Sequence, residues 1–183
     1  MTKGQLRITW LIVLSAFVLL CFSSTIYAKE LIVKNPTTFL LTRIPVFEGF
    51  SATRYRDGVN KGCVLQGYGR CVNNKKTPSI INRSTADIWL KEDLEKCTQH
   101  LDLHFPWWKN LSIVRQAALL DMTYNLGIQK LKTFQEFLYH MQHHQYVAAS
   151  NRLSKSRWSK QVGVRSKEIR YAIEHNRWKA IKK

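Results

Sequence analysis

The segment that most constrains the fold is residues 112–127, which is apolar on most of its faces. Its apolar residues are Val114, Ala117, Ala118, Leu119, Leu120, Met122, Tyr124 and Leu126. Ser112 can cap a helix by accepting a hydrogen bond from a backbone N–H of the first turn, and Gly127 is suited to ending one. A helix with so little polar surface is stable in water only when other elements cover it. The sequence therefore predicts a central, buried helix within a larger helical lobe.

Further helices are predicted on both sides of this segment. Asn35-Pro36 is a typical helix start, and Pro45 is expected to kink or restart that helix. Apolar residues recur at helical spacing over residues 82–101, where Ser84 and Asp87 resemble a capping box. The C-terminal third predicts three more helices from Phe134, Phe137, Leu138, Met141, Tyr146, Ala149, Leu153, Ile169 and Ile173.

Residues 54–72 have a different composition. They contain Gly58, Gly62, Gly67 and Gly69 among tyrosine, valine and leucine residues, which favours a small antiparallel hairpin region over a helix. No repeat or low-complexity tract interrupts the chain. The predicted fold is α+β, with a small N-terminal hairpin lobe beside a larger helical lobe, in one domain of residues 29–183.

The first 28 residues are typical of an export signal. Lys3 and Arg7 precede an uncharged run over residues 8–28, and Ala28 suits the last position before cleavage. The alternative is a retained membrane anchor, because this run as a helix would span roughly 31 Å. We expect an exported protein, which is periplasmic or extracellular if the leader is cleaved and anchored in the inner membrane if it is not.

The charge of the chain is strongly positive. Lys and Arg number 29 against 12 acidic residues, which gives a formal net charge of +17. Such a charge attracts nucleic acid, anionic lipid and the acidic polymers of a bacterial wall alike. The charge alone therefore does not identify the partner.

Three cysteines follow the leader. Cys63 and Cys71 flank a predicted hairpin strand, and one interpretation joins them in a disulfide, with Cys97 left over. The other interpretation is three separate thiols, because spacing does not determine disulfide geometry.

Two carboxylates are the candidates for catalysis. Glu48 ends a predicted helix, and Asp57 lies nine positions later, at the entrance to the glycine-rich region. Glycoside hydrolysis uses such a pair, one acid to protonate the leaving oxygen and one carboxylate to activate water. The spacing alone is weak evidence, since most acid pairs are merely solvated.

The surrounding sequence strengthens the assignment of Glu48 and Asp57, because they belong to a series of separate motifs. The motifs are Phe47-Glu48-Gly49-Phe50, Tyr55-Arg56-Asp57, Gly67-Tyr68-Gly69, Trp89-Leu90-Lys91-Glu92-Asp93-Leu94, residues 117–127 and Ser156-Arg157-Trp158 with Gln161 and Arg165. This series resembles the phage-type lysozyme family. The resemblance implies a lysozyme-like α+β fold in which a long helix joins the two lobes.

Catalytic roles follow from the resemblance residue by residue. It implies that Glu48 is the general acid, that Asp57 helps to activate the attacking water, and that Arg165 lies near Glu48. Family members of this type invert the anomeric centre, which would place the two carboxyl groups roughly 6.5–9.5 Å apart.

The chain departs from the family where the attacking water is positioned. A threonine of the family corresponds to Leu65, whose side chain cannot hydrogen-bond water. Two extra residues precede the Gly-x-Gly segment, so Gln66 is an alternative source of a polar group. A one-residue shift of register exchanges the two faces of a strand, so both alternatives stay open. Arg70 replaces the family's histidine and could pair with Asp93.

The resemblance also implies a set of substrate-binding positions. Tyr124 falls where the family places an aromatic ring against the glycan, and Gly69 belongs to the catalytic hairpin. Phe137 and Arg152 stand at two positions that are polar in the family, and Cys71 stands at an apolar one.

These residues predict a muramidase that hydrolyses the β-1,4 bond between N-acetylmuramic acid and N-acetylglucosamine of bacterial peptidoglycan. We expect a monomer without a cofactor or a metal, and without a nucleic-acid partner. His140, His143 and His144 have a spacing that could bind zinc, but an exposed polar face is the simpler interpretation. We also expect transient or anchored membrane association through residues 8–28. The alternatives are a catalytically impaired peptidoglycan-binding protein and a cationic protein that lyses membranes without glycosidase activity.

Overall fold

The computed structural model describes residues 35–56, 62–73 and 76–179, so the predicted leader lies outside the described part. Its elements, in chain order, are α1 (Pro36–Glu48), β1 (Ser51–Tyr55), β2 (Leu65–Gly67), β3 (Arg70–Cys71), α2 (Arg83–His104), a 3₁₀ helix (Pro106–Asn110), α3 (Ile113–Leu126), α4 (Ile128–Leu131), α5 (Gln135–Gln142), α6 (Tyr146–Ser154), α7 (Arg157–Val162) and α8 (Val164–His175). This arrangement confirms the α+β, lysozyme-like prediction.

Helix α3 is the centre of the helical lobe, as predicted. Ser112 caps it by accepting from the backbone N–H of Arg115, and Gly127 ends it with a φ of 73°. Residues 117–122 are completely buried, and α1, α2, α4 and α8 all pack against α3. Trp158 and Trp178, each 4% exposed, belong to the same core.

Helix α1 begins as predicted but is not restarted at proline. Asn35 caps it by accepting from the backbone N–H of Thr38 at 3.1 Å, and the helix continues through Pro45 to Glu48. A proline inside a helix costs about 3 kcal/mol. Leu40 and Ile44 are fully buried, and burial of two such side chains contributes roughly 3–6 kcal/mol. Packing against α3 therefore outweighs the local cost.

Helix α2 joins the two lobes over 22 residues and packs against β2, β3, α1 and α3. Its start differs from the prediction, because Asn82 rather than Ser84 is the cap. The Asn82 side chain accepts from the backbone N–H of Thr85 at 2.9 Å, so Ser84 already lies inside the first turn. Among the described residues, no helix is long and apolar enough to cross a membrane.

The small lobe is a three-stranded antiparallel sheet in the order β1-β2-β3. Tyr55 pairs with Leu65, and Leu65 pairs with Cys71 on its other side. Cys63 and Cys71 form a disulfide and Cys97 is a free thiol, which confirms the first of the two cysteine interpretations. We call residues 65–71 the hairpin wall, because this segment forms one side of the cavity described next.

Candidate active site

A cavity of about 880 Å³ lies between the lobes. Glu48 at the end of α1 reaches it from one side, and the hairpin wall contributes Leu65 and Gly69. Helices α2, α3 and α4 contribute further lining residues, which include Asp93, Tyr124 and Lys130. The volume of the cavity lies in the range of ligand-binding clefts.

Glu48 is held at the cavity by an arginine. The Nη1 group of Arg165 donates a hydrogen bond to Oε1 of Glu48, and the Glu48 side chain remains 24% exposed. The other carboxylate oxygen faces the hairpin wall, since a Cβ at Gly69 would lie 3.7 Å from Oε2. The structure therefore brings together Glu48, Arg165 and Gly69, as the resemblance implied.

Arg165 is itself fixed by buried charges. Its Nε donates to Oδ1 of Asp121 at 2.7 Å, and Asp121 is completely buried in α3. Burial alone would lower the pKa of Arg165, but the charges of Asp121 and Glu48 outweigh it and the net shift is upward. Arg165 is thus a permanent cation whose position is determined by two carboxylates.

A second arginine extends this arrangement. Arg43 is 1% exposed, contacts Glu168 through Nη2, and lies 4.0 Å from Asp121. Its guanidinium also stacks 4.1 Å from the ring of Trp178. Burial lowers the pKa of Arg43, although Glu168 and Asp121 oppose this shift. We call Glu48, Arg165, Asp121, Arg43 and Glu168 the charge cluster.

The charge cluster contains three carboxylates and two guanidinium groups. When all five are ionised, it has one excess negative charge. Asp121 is 0% exposed and Glu168 is 15% exposed, whereas Glu48 lines the cavity. Of these three acids, Glu48 is therefore the one that a molecule bound in the cavity can contact.

The register of β2 separates the two candidates for positioning water. Leu65 is 3% exposed and lines the cavity. Gln66 is fully buried on the other side of the strand, where its amide donates to the backbone oxygens of Ala52 and Ser79 at 2.9 and 3.2 Å. Gln66 is therefore engaged in joining the sheet to the following loop, and the cavity side of β2 is apolar.

Arg70 forms the predicted pair with Asp93 at 3.5 Å and also contacts Glu92 at 2.8 Å. Burial raises the pKa of Asp93, while Arg70 and Lys96 act against this shift. Cys97 lies beside it in the cavity lining, and burial together with Asp93 raises the pKa of its thiol to about 12. The thiol is therefore protonated and unreactive near neutral pH.

Of the other residues that the resemblance implied for the site, some line the cavity and some lie outside it. Cys71 lines the cavity within its disulfide. Phe137 is 2% exposed in the core of the helical lobe, and Arg152 forms an exposed ion pair with Glu136 at 2.8 Å. Neither Phe137 nor Arg152 is part of the cavity lining. Asp57 lies outside the described residues, so its role stays a prediction.

Comparison with known proteins agrees with this geometry. The sequence model of a family described as phage lysozyme matches residues 45–176, which is more than half of the chain. The chain belongs to the phage lysozyme family. A relative from Dictyostelium discoideum, described as "Probable T4-type lysozyme 1", is 24% identical over 112 residues, which cover 60% of this chain and 66% of that protein. The chain thus spans just under two thirds of the length of this curated relative.

Sequence reasoning missed two residues of this site, Asp121 and Arg43. A signal for Asp121 existed, because it is a lone acid in a helix that is otherwise apolar, and a buried carboxylate needs a cationic partner. The partner is Arg165, 44 residues away, and nothing local identifies that pairing. Arg43 is likewise the one basic residue of α1, but its partners Glu168 and Asp121 lie far away in the chain.

Proposed function

We propose that this protein is a peptidoglycan muramidase that cleaves the β-1,4 bond between N-acetylmuramic acid and N-acetylglucosamine. The observation that supports it best is Glu48, held by Arg165 at the interlobe cavity and facing the hairpin wall. Glu48 acts as the general acid and protonates the leaving glycosidic oxygen. We assign Asp57 to activation of the attacking water, on the strength of the sequence motif alone.

The charge cluster favours this division of roles. A carboxylate at the C-terminal end of a helix faces the negative end of the helix dipole, so an ionised Glu48 is held there mainly by Arg165. As the leaving oxygen takes the proton of Glu48, the carboxylate that forms is stabilised by this arginine. Because Arg165 is already fixed by Asp121, no side chain must reorganise during the step.

The direct test compares two isosteric substitutions. Residues 29–183 are purified and incubated with peptidoglycan, and newly formed reducing ends are measured. We expect Glu48→Gln to lower the rate by about 10²–10⁴-fold, because an amide cannot donate the proton. Glu95→Gln, an exposed glutamate of α2, is the matched control and should retain full activity. Full activity of Glu48→Gln in a folded protein would exclude the proposed role.

A second candidate function follows from Leu65. Because the cavity side of β2 is apolar, a protein with this fold could bind peptidoglycan and hydrolyse it little or not at all. It would sediment with peptidoglycan, and Glu48→Gln would change neither sedimentation nor product yield. The reducing-end assay separates the two functions, because only the muramidase produces new ends.

The proposal includes export, since peptidoglycan lies outside the cytoplasmic membrane. The positive charge then serves attraction to the acidic wall, and we propose that the protein acts as a monomer without a cofactor. N-terminal sequencing of the protein recovered from the periplasm would show whether cleavage follows Ala28.

A further inference from the structure

The hydroxyl group of Tyr124 connects the two sides of the cavity. Tyr124 lies in the last turn of α3, and its Oη donates a hydrogen bond to the backbone carbonyl oxygen of Tyr68 at 2.8 Å. This bond runs from the buried central helix to the hairpin wall. The family resemblance concerned the aromatic ring of Tyr124 against the glycan, and it gives no function to the hydroxyl.

The segment that accepts this bond is a short turn with two glycines. Tyr68 lies between Gly67 and Gly69, whose φ angles are 67° and 88°. Glycine is the residue that adopts such angles freely, so the turn has low intrinsic stiffness. Strand β3, which follows the turn, contains two residues, so the strand pairing next to the turn is short.

The same turn lies against the proposed catalytic acid. A Cβ at Gly69 would lie 3.7 Å from Oε2 of Glu48, so a small movement of the turn changes the space available beside this oxygen. The Tyr68 side chain is anchored away from α3, because its hydroxyl donates to Asp87 of α2 at 2.9 Å and its ring packs 5.9 Å from Phe50. Its carbonyl is restrained separately, by Tyr124.

We propose that Tyr124 is a positioning residue, whose hydroxyl fixes the turn of residues 67–69 against Glu48 and thereby supports the rate of glycoside cleavage. This rests on the proposed muramidase function. Burial and the nearby charge of Glu48 raise the pKa of Tyr124, so its hydroxyl stays protonated and remains a donor near neutral pH. The hydrogen bond is made at the edge of the ring by the hydroxyl, so it leaves the face of the ring available for stacking against a glycan.

Tyr124→Phe separates the hydroxyl from the ring, because it removes one oxygen atom and leaves the aromatic surface. If the hydroxyl positions the turn, we expect kcat for release of reducing ends to fall about 10-fold to 100-fold, with KM changed less than about twofold. Tyr171→Phe is the control, since it removes a hydroxyl that accepts from Arg177 at 2.9 Å outside the cavity lining. Its kinetic constants should equal those of the parent protein. An unchanged kcat for Tyr124→Phe would overturn the proposal. If KM rose while kcat stayed unchanged, the hydroxyl would contribute to glycan binding and not to the position of the turn.

Amide hydrogen exchange provides a readout that needs no activity. In Tyr124→Phe, the amides of residues 65–72 should exchange about tenfold faster or more, while α3 keeps the protection of the parent protein. Tyr171→Phe should leave the same amides unchanged. If the parent protein releases no reducing ends, the muramidase proposal fails, and exchange alone then decides the inference: faster exchange supports the restraint, and unchanged exchange overturns it.

Discussion

The helical side of the cavity holds Glu48 through buried ion pairs, whereas the hairpin wall is held by a disulfide, a short strand pairing and the hydroxyl of Tyr124. Buried charges tolerate no loss of a partner, because the remaining charge would stay in a medium that solvates it poorly. A hairpin turn with two glycines can move at much lower cost. The acid is therefore fixed rigidly, and the wall that faces it is the adjustable part.

The largest expected effect comes from Asp121→Asn, which removes the buried carboxylate between Arg165 and Arg43. We expect the free energy of unfolding to fall by about 3–5 kcal/mol, because two buried guanidinium groups lose their shared partner. Denaturant unfolding measures the change. Asp102→Asn is the matched control, since it removes a partly exposed ion pair with Lys109 but keeps a side-chain oxygen that can accept from Trp108, so the change should cost less than about 1 kcal/mol. Equal costs for the two variants would show that the charge cluster does not stabilise the helical side.

An intermediate effect is expected from the double change Cys63→Ser and Cys71→Ser. The bridge closes a short loop, and its loss should lower the free energy of unfolding by about 2–3 kcal/mol. We expect faster amide exchange to be concentrated in residues 62–73, with α3 affected only through global unfolding. Cys97→Ser removes a cysteine without removing a bridge and serves as the control. Uniform loss of protection across both lobes would contradict the separation between a rigid acid side and an adjustable wall.

The smallest effect on stability is expected from Leu65→Thr, which adds a hydroxyl to the cavity side of β2. Leu65 is packed, so we expect a cost of about 1–3 kcal/mol. If the attacking water lies beside it, the new hydrogen bond should raise kcat by up to about 10²–10³-fold and leave KM nearly unchanged. Leu103→Thr, at a leucine that is 74% exposed, controls for the substitution itself. A lower kcat would mean that the water is bound elsewhere along the hairpin.

The sequence predicted features that depend on neighbouring residues better than features that depend on tertiary packing. Local signals were sufficient for the caps at Asn35 and Ser112, because these depend on neighbouring residues. The motif order was sufficient to predict that Arg165 lies near Glu48. The expected restart at Pro45 was wrong, since tertiary packing lets α1 continue through it.

Two features of the cavity needed three-dimensional information. Strand register decides that Leu65 faces the cavity and Gln66 faces away, and a two-residue insertion hides that register in the sequence. The partners of Asp121 come from α1 and α8, which are far from it in the chain. Long-range pairing of charges leaves no local pattern, so the sequence did not place Asp121, Arg43 and Glu168 in the charge cluster.

We propose that the protein uses Glu48 to hydrolyse the glycosidic bond that follows N-acetylmuramic acid. Mass analysis of peptidoglycan fragments tests this proposal most directly. Purified peptidoglycan is digested with the parent protein and with Glu48→Gln, and the soluble fragments are compared. The account predicts disaccharide-peptide fragments that end in reducing N-acetylmuramic acid, each having gained one water, from the parent protein and not from Glu48→Gln. Fragments that end in reducing N-acetylglucosamine, fragments one water lighter with an internal anhydro ring, or no soluble fragments at all would contradict it.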